Sequence, residues 1–251
     1  ERTMKACGIT DVGLQRHENQ DTFAVERGAA DGQLIAVVCD GMGGAKAGGL
    51  ASQLSNKAFV DFVYGKLTSR VERVQNYKDM LQSACDEANG VSYEYSKFDE
   101  AYNGMGTTIV GGVIKNSGKA HIINVGDSRA YHISRKSSSI YQITRDHSLV
   151  EELVEFGAIT KEQAKTHPQR NVITRALGSE AKVESDYFEL SMRLGDCILF
   201  CSDGLSNTLS DQELLEYAMR FPEPELLCRE LMDEALSRGA RDNVTVVAVM
   251  K

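Results

Sequence analysis

Tryptophan is absent from the 251 residues, and proline occurs only at Pro168, Pro222 and Pro224. No Gly/Ser/Pro-rich linker and no internal repeat divides the chain, so a single domain over 1–251 is expected. No apolar run approaches the ~18 residues of a membrane-spanning helix, so no membrane insertion is expected. Residues 1–30 contain no basic segment followed by an apolar stretch, and no signal peptide is expected there. Cys-x-x-Cys is missing too. Among Cys7, Cys39, Cys85, Cys197, Cys201 and Cys228, several lie in apolar runs such as VVCD and DCILFC. That is the pattern of reduced, buried thiols in a cytoplasmic protein. Positive charge is in deficit: 28 Lys and Arg face 36 Asp and Glu, leaving −8. The balance argues against nucleic acid as a partner and against anionic membrane surfaces. Carboxylates gathered for a metal would produce the same balance.

What is present is a series of short apolar, β-branched runs. They predict strands near 4–10, 21–26, 33–39, 106–115, 119–125, 129–134, 138–143, 186–192, 196–201 and 243–250. Turn signals such as Asn116-Ser-Gly118 and Ser137-Ser-Ser139 join neighbours tightly, which favours antiparallel pairing. Two long helices are predicted between the third and fourth strands. Over 45–63, Leu50, Leu54, Ala58 and Phe62 recur at i, i+4, with Ala51, Phe59 and Val63 beside them. Over 71–97, Val74, Leu81, Ala88 and Tyr95 recur every seven, with Tyr77, Ala84 and Val91 between. Capping boxes at Ser148–Glu151, Thr160–Gln163 and Ser210–Glu213 mark later helix starts, and a last helix follows Pro222 and Pro224 and ends at Gly239. Antiparallel sheets covered by helices make an α+β layered fold. The lack of βαβ alternation argues against a Rossmann-like one.

The most informative residues are aspartates. LIAVVC runs into Asp40-Gly41, HIINVG into Asp127 and DCILFCS into Asp203-Gly204, and Asp242 opens NVTVVAVM. Asp-Gly is also a common turn pair, so each alone says little. Together, carboxylates at one sheet edge would repel and raise each other's pKa. A divalent cation removes that penalty, and an all-oxygen set suits Mg²⁺ or Mn²⁺ better than Zn²⁺. Arg16-His-Glu-Asn-Gln-Asp21 adds an arginine able to clamp a phosphate and an aspartate able to hold a water. The glycine cluster Gly41-Met-Gly-Gly44 lacks the ending of a P-loop and reads as a tight turn entering a helix.

Other phosphatase chemistries fail on their motifs. No Cys is followed six residues later by Arg, and Asp-x-Asp does not occur. His121 and His132 lie in strand-like runs and read as structural. His17 reads as exposed, His147 as a brace for the site, and His167 as a packing or substrate contact.

Taken in order, Thr10-Asp-Val-Gly13, Arg16 to Asp21, Asp40-Gly-Met-Gly-Gly44, Gly106-Thr-Thr108, Val125-Gly-Asp-Ser-Arg129, Asp146-His-Ser148, Ser202-Asp-Gly204 and Arg241-Asp-Asn243 resemble the metal-dependent Ser/Thr protein phosphatases of the type 2C or PPM family, in their bacterial form. The resemblance covers nearly the whole chain. It implies a four-layer α-β-β-α sandwich around two central antiparallel sheets, with a flap near the active site at 146–180. It implies about two to three Mn²⁺ or Mg²⁺ ions and a water bridging two of them as nucleophile. Asp40 would bridge the two ions, and the Gly41 carbonyl would bind the second. Asp203 and Asp242 would complete the first site, Asp127 with Asp203 would form a third, Asp21 would act through a water, and Arg16 would hold the substrate phosphate. Phosphorylated proteins would be the substrates, a Ser/Thr kinase the opposing enzyme, and the chain a monomer.

Two departures from the family pattern stand out. Met42 replaces the His of eukaryotic members that is their proposed general acid, which leaves a metal-bound water as the expected proton donor. Gln20 replaces a frequent Glu. Two alternatives stay open on the residues: a metal-dependent hydrolase of a small phosphoester, and a phosphoprotein-binding or sensing domain.

Overall fold

Side chains alternate across a strand, and in β3 (Leu34–Met42) that alternation divides the residues between two cores. Ile35, Val37 and Cys39 face α1 (Ala47–Thr68) and α2 (Tyr77–Ser96), meeting Phe59, Leu81 and Ala84. Leu34, Ala36 and Val38 face the other way, toward a second sheet, where they join Ile198, Phe200, Val247 and Val249. A third core lies on that sheet's outer face, where Leu199 and Val246 meet Leu214, Leu227 and Leu231 of α6 (Asp211–Arg220) and α7 (Pro224–Ser237). The layers therefore run helix, sheet, sheet, helix. The computed structural model describes residues 4–28, 32–44, 47–69 and 74–251.

Among the described residues every strand pair is antiparallel. One sheet runs β1 (Lys5–Asp11), β11 (Val244–Met250), β10 (Cys197–Cys201), β7 (Arg129–Ser134) and β8 (Ser139–Gln142). The other runs β2 (Asp21–Arg27), β3, β5 (Ile109–Ile114), β6 (Lys119–Val125) and β9 (Asp186–Ser191), with the short β4 (Gly106–Thr107) on the end of β3. Phe200, fully buried between the sheets, shows what holds them together. Its truncation to Ala would cost about 3–5 kcal/mol in lost transfer energy and cavity.

The strand expectations fall on observed strands, except that 106–115 splits at Thr108 into β4 and β5. The boxes at Thr160 and Ser210 are reciprocal and start α4 (Lys161–Thr166) and α6. At Ser148 only the serine half forms, above α3 (Leu149–Glu155). Pro224 occupies the first turn of α7, where its missing N–H is no loss. The first residues of the expected helices, 45–46 and 71–73, lie outside the described residues.

The stripe of α1 is displaced from expectation. Ala51, Ser55, Phe59 and Val63 are buried, while Leu50, Leu54, Ala58 and Phe62 are only partly so. The inner face carries small residues: Gly48 lies against Gly41 of β3, Ser52 donates to the Gln20 carbonyl before β2, and Ser55 meets Ser92 of α2. The bulkier residues then ride on the flank.

Candidate metal centre

Strand register assembles the site. Asp21, first residue of β2, sits directly opposite Asp40 near the end of β3. Asp203 follows β10 and opens the short α5 (Asp203–Ser206). Asp242 precedes β11, and Asp127 lies in the β6–β7 turn. Each sits where a strand ends, because there the chain leaves the sheet and a carboxylate no longer has to be packed among apolar neighbours.

The backbone around Asp40 is fixed on several sides. Its N–H donates to Thr108 Oγ1 at 3.0 Å, and its carbonyl accepts from Thr107 Oγ1 at 2.9 Å and from the Thr108 N–H at 2.9 Å. Thr108 Oγ1 is itself 2.7 Å from Ser128 Oγ, beside Asp127. A Cβ on Gly41 would come within 2.1 Å of the Gly48 carbonyl, so only glycine lets α1 begin this close to the end of β3.

Asp21 is held differently. Its Oδ2 accepts hydrogen bonds from Ser202 Oγ and Thr245 Oγ1, both at 2.7 Å. Its Oδ1 is buried and has no protein partner. Asn243 ties the preceding loop in place: its Oδ1 accepts from the Gln20 N–H at 2.8 Å, and its Nδ2 donates to the Val12 and Glu18 carbonyls at 2.9 and 3.0 Å. That loop carries Arg16, whose Nη2 donates to Asp242 Oδ2 at 2.8 Å. Asn207 Nδ2 donates to Asp203 Oδ2 at 3.0 Å.

The electrostatics follow from crowding. Burial, then the charges of Asp21, Asp203, Asp127 and Asp242, push Asp40 well above the usual carboxylate range. Burial first and Asp203 among its neighbours raise Asp21 to about 6, against two hydroxyl hydrogen bonds that pull it down. Asp127 rises to about 7 through burial, then Asp203 and Asp146. Asp203 rises through burial, then Asp242. The hydrogen bond to Asp242, backed by its charge, raises Arg16.

All the aspartates singled out in the sequence, together with Arg16, thus lie within one electrostatic neighbourhood. Among the described residues, no three acidic, His or Cys side chains already stand in a closed ligand cage. The donor set nevertheless fits a hard divalent cation: it is all oxygen, it carries excess negative charge, and Asp21 Oδ1 is an orphaned buried acceptor. The hydroxyls of Ser202 and Thr245 and the amide of Asn243 were not singled out individually. Their neighbours in sequence gave a signal, Ser-Asp-Gly and Asp-Asn, but their partners are remote in the chain.

The other singled-out residues fall outside this cluster. Met42 is 37% exposed at the end of β3. His121 stacks on Tyr77, and its Nδ1 lies 2.7 Å from the Tyr187 hydroxyl. His132 Nε2 lies 3.0 Å from Asp196 Oδ2. His17 is exposed, and His167 caps the end of α4. All six cysteines are free thiols, with only Cys7 short of full burial.

Comparison with known proteins places the chain in a family. The family described as protein phosphatase 2C matches residues 15–238. The serine/threonine phosphatase stp of Listeria monocytogenes is 38% identical over 240 residues, covering 96% of this chain and 93% of that one. The crystal structure of the serine/threonine phosphatase Stp1 from Staphylococcus aureus superposes with a TM-score of 0.90 at 34% identity, covering 100% of this chain and 96% of that one. The catalytic domain of the serine threonine protein phosphatase PstP, solved with 2 manganese ions, gives a TM-score of 0.82 at 32% identity, with 99% of each chain covered. Fold and sequence similarity converge, and the chain belongs to the protein phosphatase 2C family.

Proposed function

We propose that this protein serine/threonine phosphatase hydrolyses phosphoserine and phosphothreonine through Asp40, Asp203, Asp242, Asp21 and Arg16. The observation that carries the reading is the set of crowded, mutually repelling carboxylates with Arg16 hydrogen-bonded to one of them. Asp40, the Gly41 carbonyl, Asp203 and Asp242 would hold two divalent ions, Asp21 would act through a water, and Asp127 with Asp203 would hold a third ion. Mn²⁺ or Mg²⁺, when bound there, supplies Lewis-acid activation of water and neutralises phosphoryl charge. Arg16 is paired with Asp242 in this structure. A cation on Asp242 would compete for that carboxylate and free the guanidinium to take phosphoryl oxygens in a bidentate grip. Met42 offers no proton to the leaving alkoxide, so the proton comes from water.

Residues 1–251 act as one phosphatase domain, with 146–180 as the flap that shapes the choice of protein substrate. The free thiols support a cytoplasmic setting. A monomer opposing a Ser/Thr kinase is the working picture. No helix among the described residues is long and apolar enough to cross a membrane.

The test is hydrolysis of a phosphothreonine peptide with Mn²⁺, with Mg²⁺ and with EDTA, beside a small aryl phosphate. Metal-dependent turnover favouring the peptide is expected. Turnover of the aryl phosphate alone would point to a small-molecule phosphoesterase. Ion binding without any turnover would point to a phosphoprotein-binding domain.

A further inference from the structure

His147 stands where the 146–180 segment meets the β6–β7 turn, and it is 3% exposed. Its main-chain N–H donates to the Gly126 carbonyl at 3.0 Å. Its ring Nδ1 accepts from the Gly126 N–H, also at 3.0 Å. One residue therefore holds Gly126 by both of its backbone groups. Gly126 has φ +108, and a Cβ there would press to within 2.6 Å of the Thr108 side chain. The next residue is Asp127.

The tautomer follows from these contacts. A ring nitrogen that accepts from a backbone amide carries no hydrogen, so the hydrogen of the neutral ring is on Nε2. Nε2 lies 3.1 Å from Asp186 Oδ2, at the start of β9, and donates to it. Arg175 Nη1 donates to Asp186 Oδ1 at 3.2 Å, so the same carboxylate is held from the 146–180 segment. The His147 carbonyl accepts from the Thr174 N–H at 2.9 Å. The two ring nitrogens thus have opposite tasks, one toward the Asp127 turn and one toward β9.

We propose that His147 is a positioning residue for the third cation site: from Nδ1 it holds the Gly126 peptide so that the Asp127 carboxylate faces Asp203, and it joins that aim to the base of the 146–180 segment. The proposal rests on the reading that Asp127 and Asp203 share a cation. Partners of this kind, one step removed from the ligand, set metal affinity by orienting it.

The experiment compares wild type, Asp127→Asn, His147→Asn and His147→Gln by Mn²⁺ calorimetry and by amide exchange at Gly126. Asn places an oxygen where Nδ1 stood and can accept from Gly126. Gln reaches the Nε2 position, can donate to Asp186, and offers Gly126 nothing. His147→Gln is expected to weaken only the weakest Mn²⁺ step, on the order of tenfold, and to speed Gly126 exchange. Asp127→Asn should abolish that step, and His147→Asn should restore both readouts toward wild type. Wild-type behaviour of His147→Gln, or equal damage in the Asn and Gln variants, overturns the proposal and leaves His147 a space-filling residue. An Asp127→Asn protein that binds Mn²⁺ like wild type overturns the third-site reading itself, and the proposal with it. Should His147→Gln fail to fold, the imidazole ¹⁵N shifts of wild type decide: a bare Nδ1 supports the proposal, and an Nδ1–H overturns it.

Discussion

Two carboxylate sites, one on each side of Asp127 in the chain's electrostatics, solve the same problem in opposite ways. Asp146 is largely buried, yet Arg129 grips it with Nε at 3.0 and 3.1 Å and Nη2 at 2.7 Å, and Gln142 Nε2 adds a bond at 2.8 Å. Its counter-charge is built into the fold. Asp21, which is buried, and Asp40, Asp127 and Asp203, which are partly so, crowd one another and are eased only in part by hydroxyls, the Asn207 amide and the charges of Arg129 and Arg16. Burying a charge without a partner is expensive. The fold pairs one carboxylate fully and leaves the neighbouring set under-compensated, and that deficit is what the proposed cation would neutralise. Crowded acid groups mark a function when their neutralising partner is missing, and a structural brace when it is present.

The largest expected effect comes from breaking the unpaired set. Asp203→Asn or Asp242→Asn should reduce metal-dependent phosphopeptide turnover to background while circular dichroism and melting temperature stay native. Near-normal activity in both variants would sink the assignment of these residues. Breaking the paired set should do the reverse. Arg129→Met leaves Asp146 buried and uncompensated, and the urea midpoint should fall by the equivalent of about 3 kcal/mol. Partial recovery in the Arg129→Met/Asp146→Leu double variant would identify the stranded charge as the cause.

A third expectation concerns pH in chelated protein. Asp21 and Asp127 are raised to about 6 and about 7 in the fold, against 3.8 for an ordinary aspartate. The folded state therefore binds more protons than the unfolded state between those values, and stability rises as pH falls from about 7 toward 4. Melting temperatures in EDTA across that range should climb on acidification, and saturating Mn²⁺ should abolish the climb. A flat or falling profile in EDTA would show that the cluster is not mutually repelling. The smallest effect is expected from Thr245→Val, which removes one of two hydroxyls on Asp21 Oδ2. A loss of about 1.5 kcal/mol is expected in chelated protein, read from the same unfolding curves.

Much of this was legible before any coordinates. Near-continuous apolar runs such as LIAVVC and VTVVAV marked the central strands because a strand buried on both faces is apolar along its length. Their ends marked the carboxylates, because the first polar residue after such a run is where the sheet stops. The partners of Asp21 were hidden for the opposite reason. Ser202 and Thr245 lie 181 and 224 residues away, and nothing in a hydroxyl announces its acceptor. The inner face of α1 was also misjudged. Size decided it, not hydrophobicity: Gly48, Ser52 and Ser55 allow a close approach that Leu50 and Leu54 would obstruct.

The strand pairing of β1 with β11 joins Lys5 to Met250 and Asp11 to Val244. The same edge brings Arg16 onto Asp242 and loops Asn243 back to Gln20. Asp242, and the Thr245 and Asn243 groups that hold Asp21 and the Gln20 loop, therefore come into place only when β11 docks. While a chain is still emerging from the ribosome, its early aspartates have no Asp242 to complete them and no Thr245 to hold Asp21. Closure across so much sequence is slow compared with local folding. Docking of β11 is accordingly the contact that joins the amino-terminal and carboxy-terminal parts of the constellation.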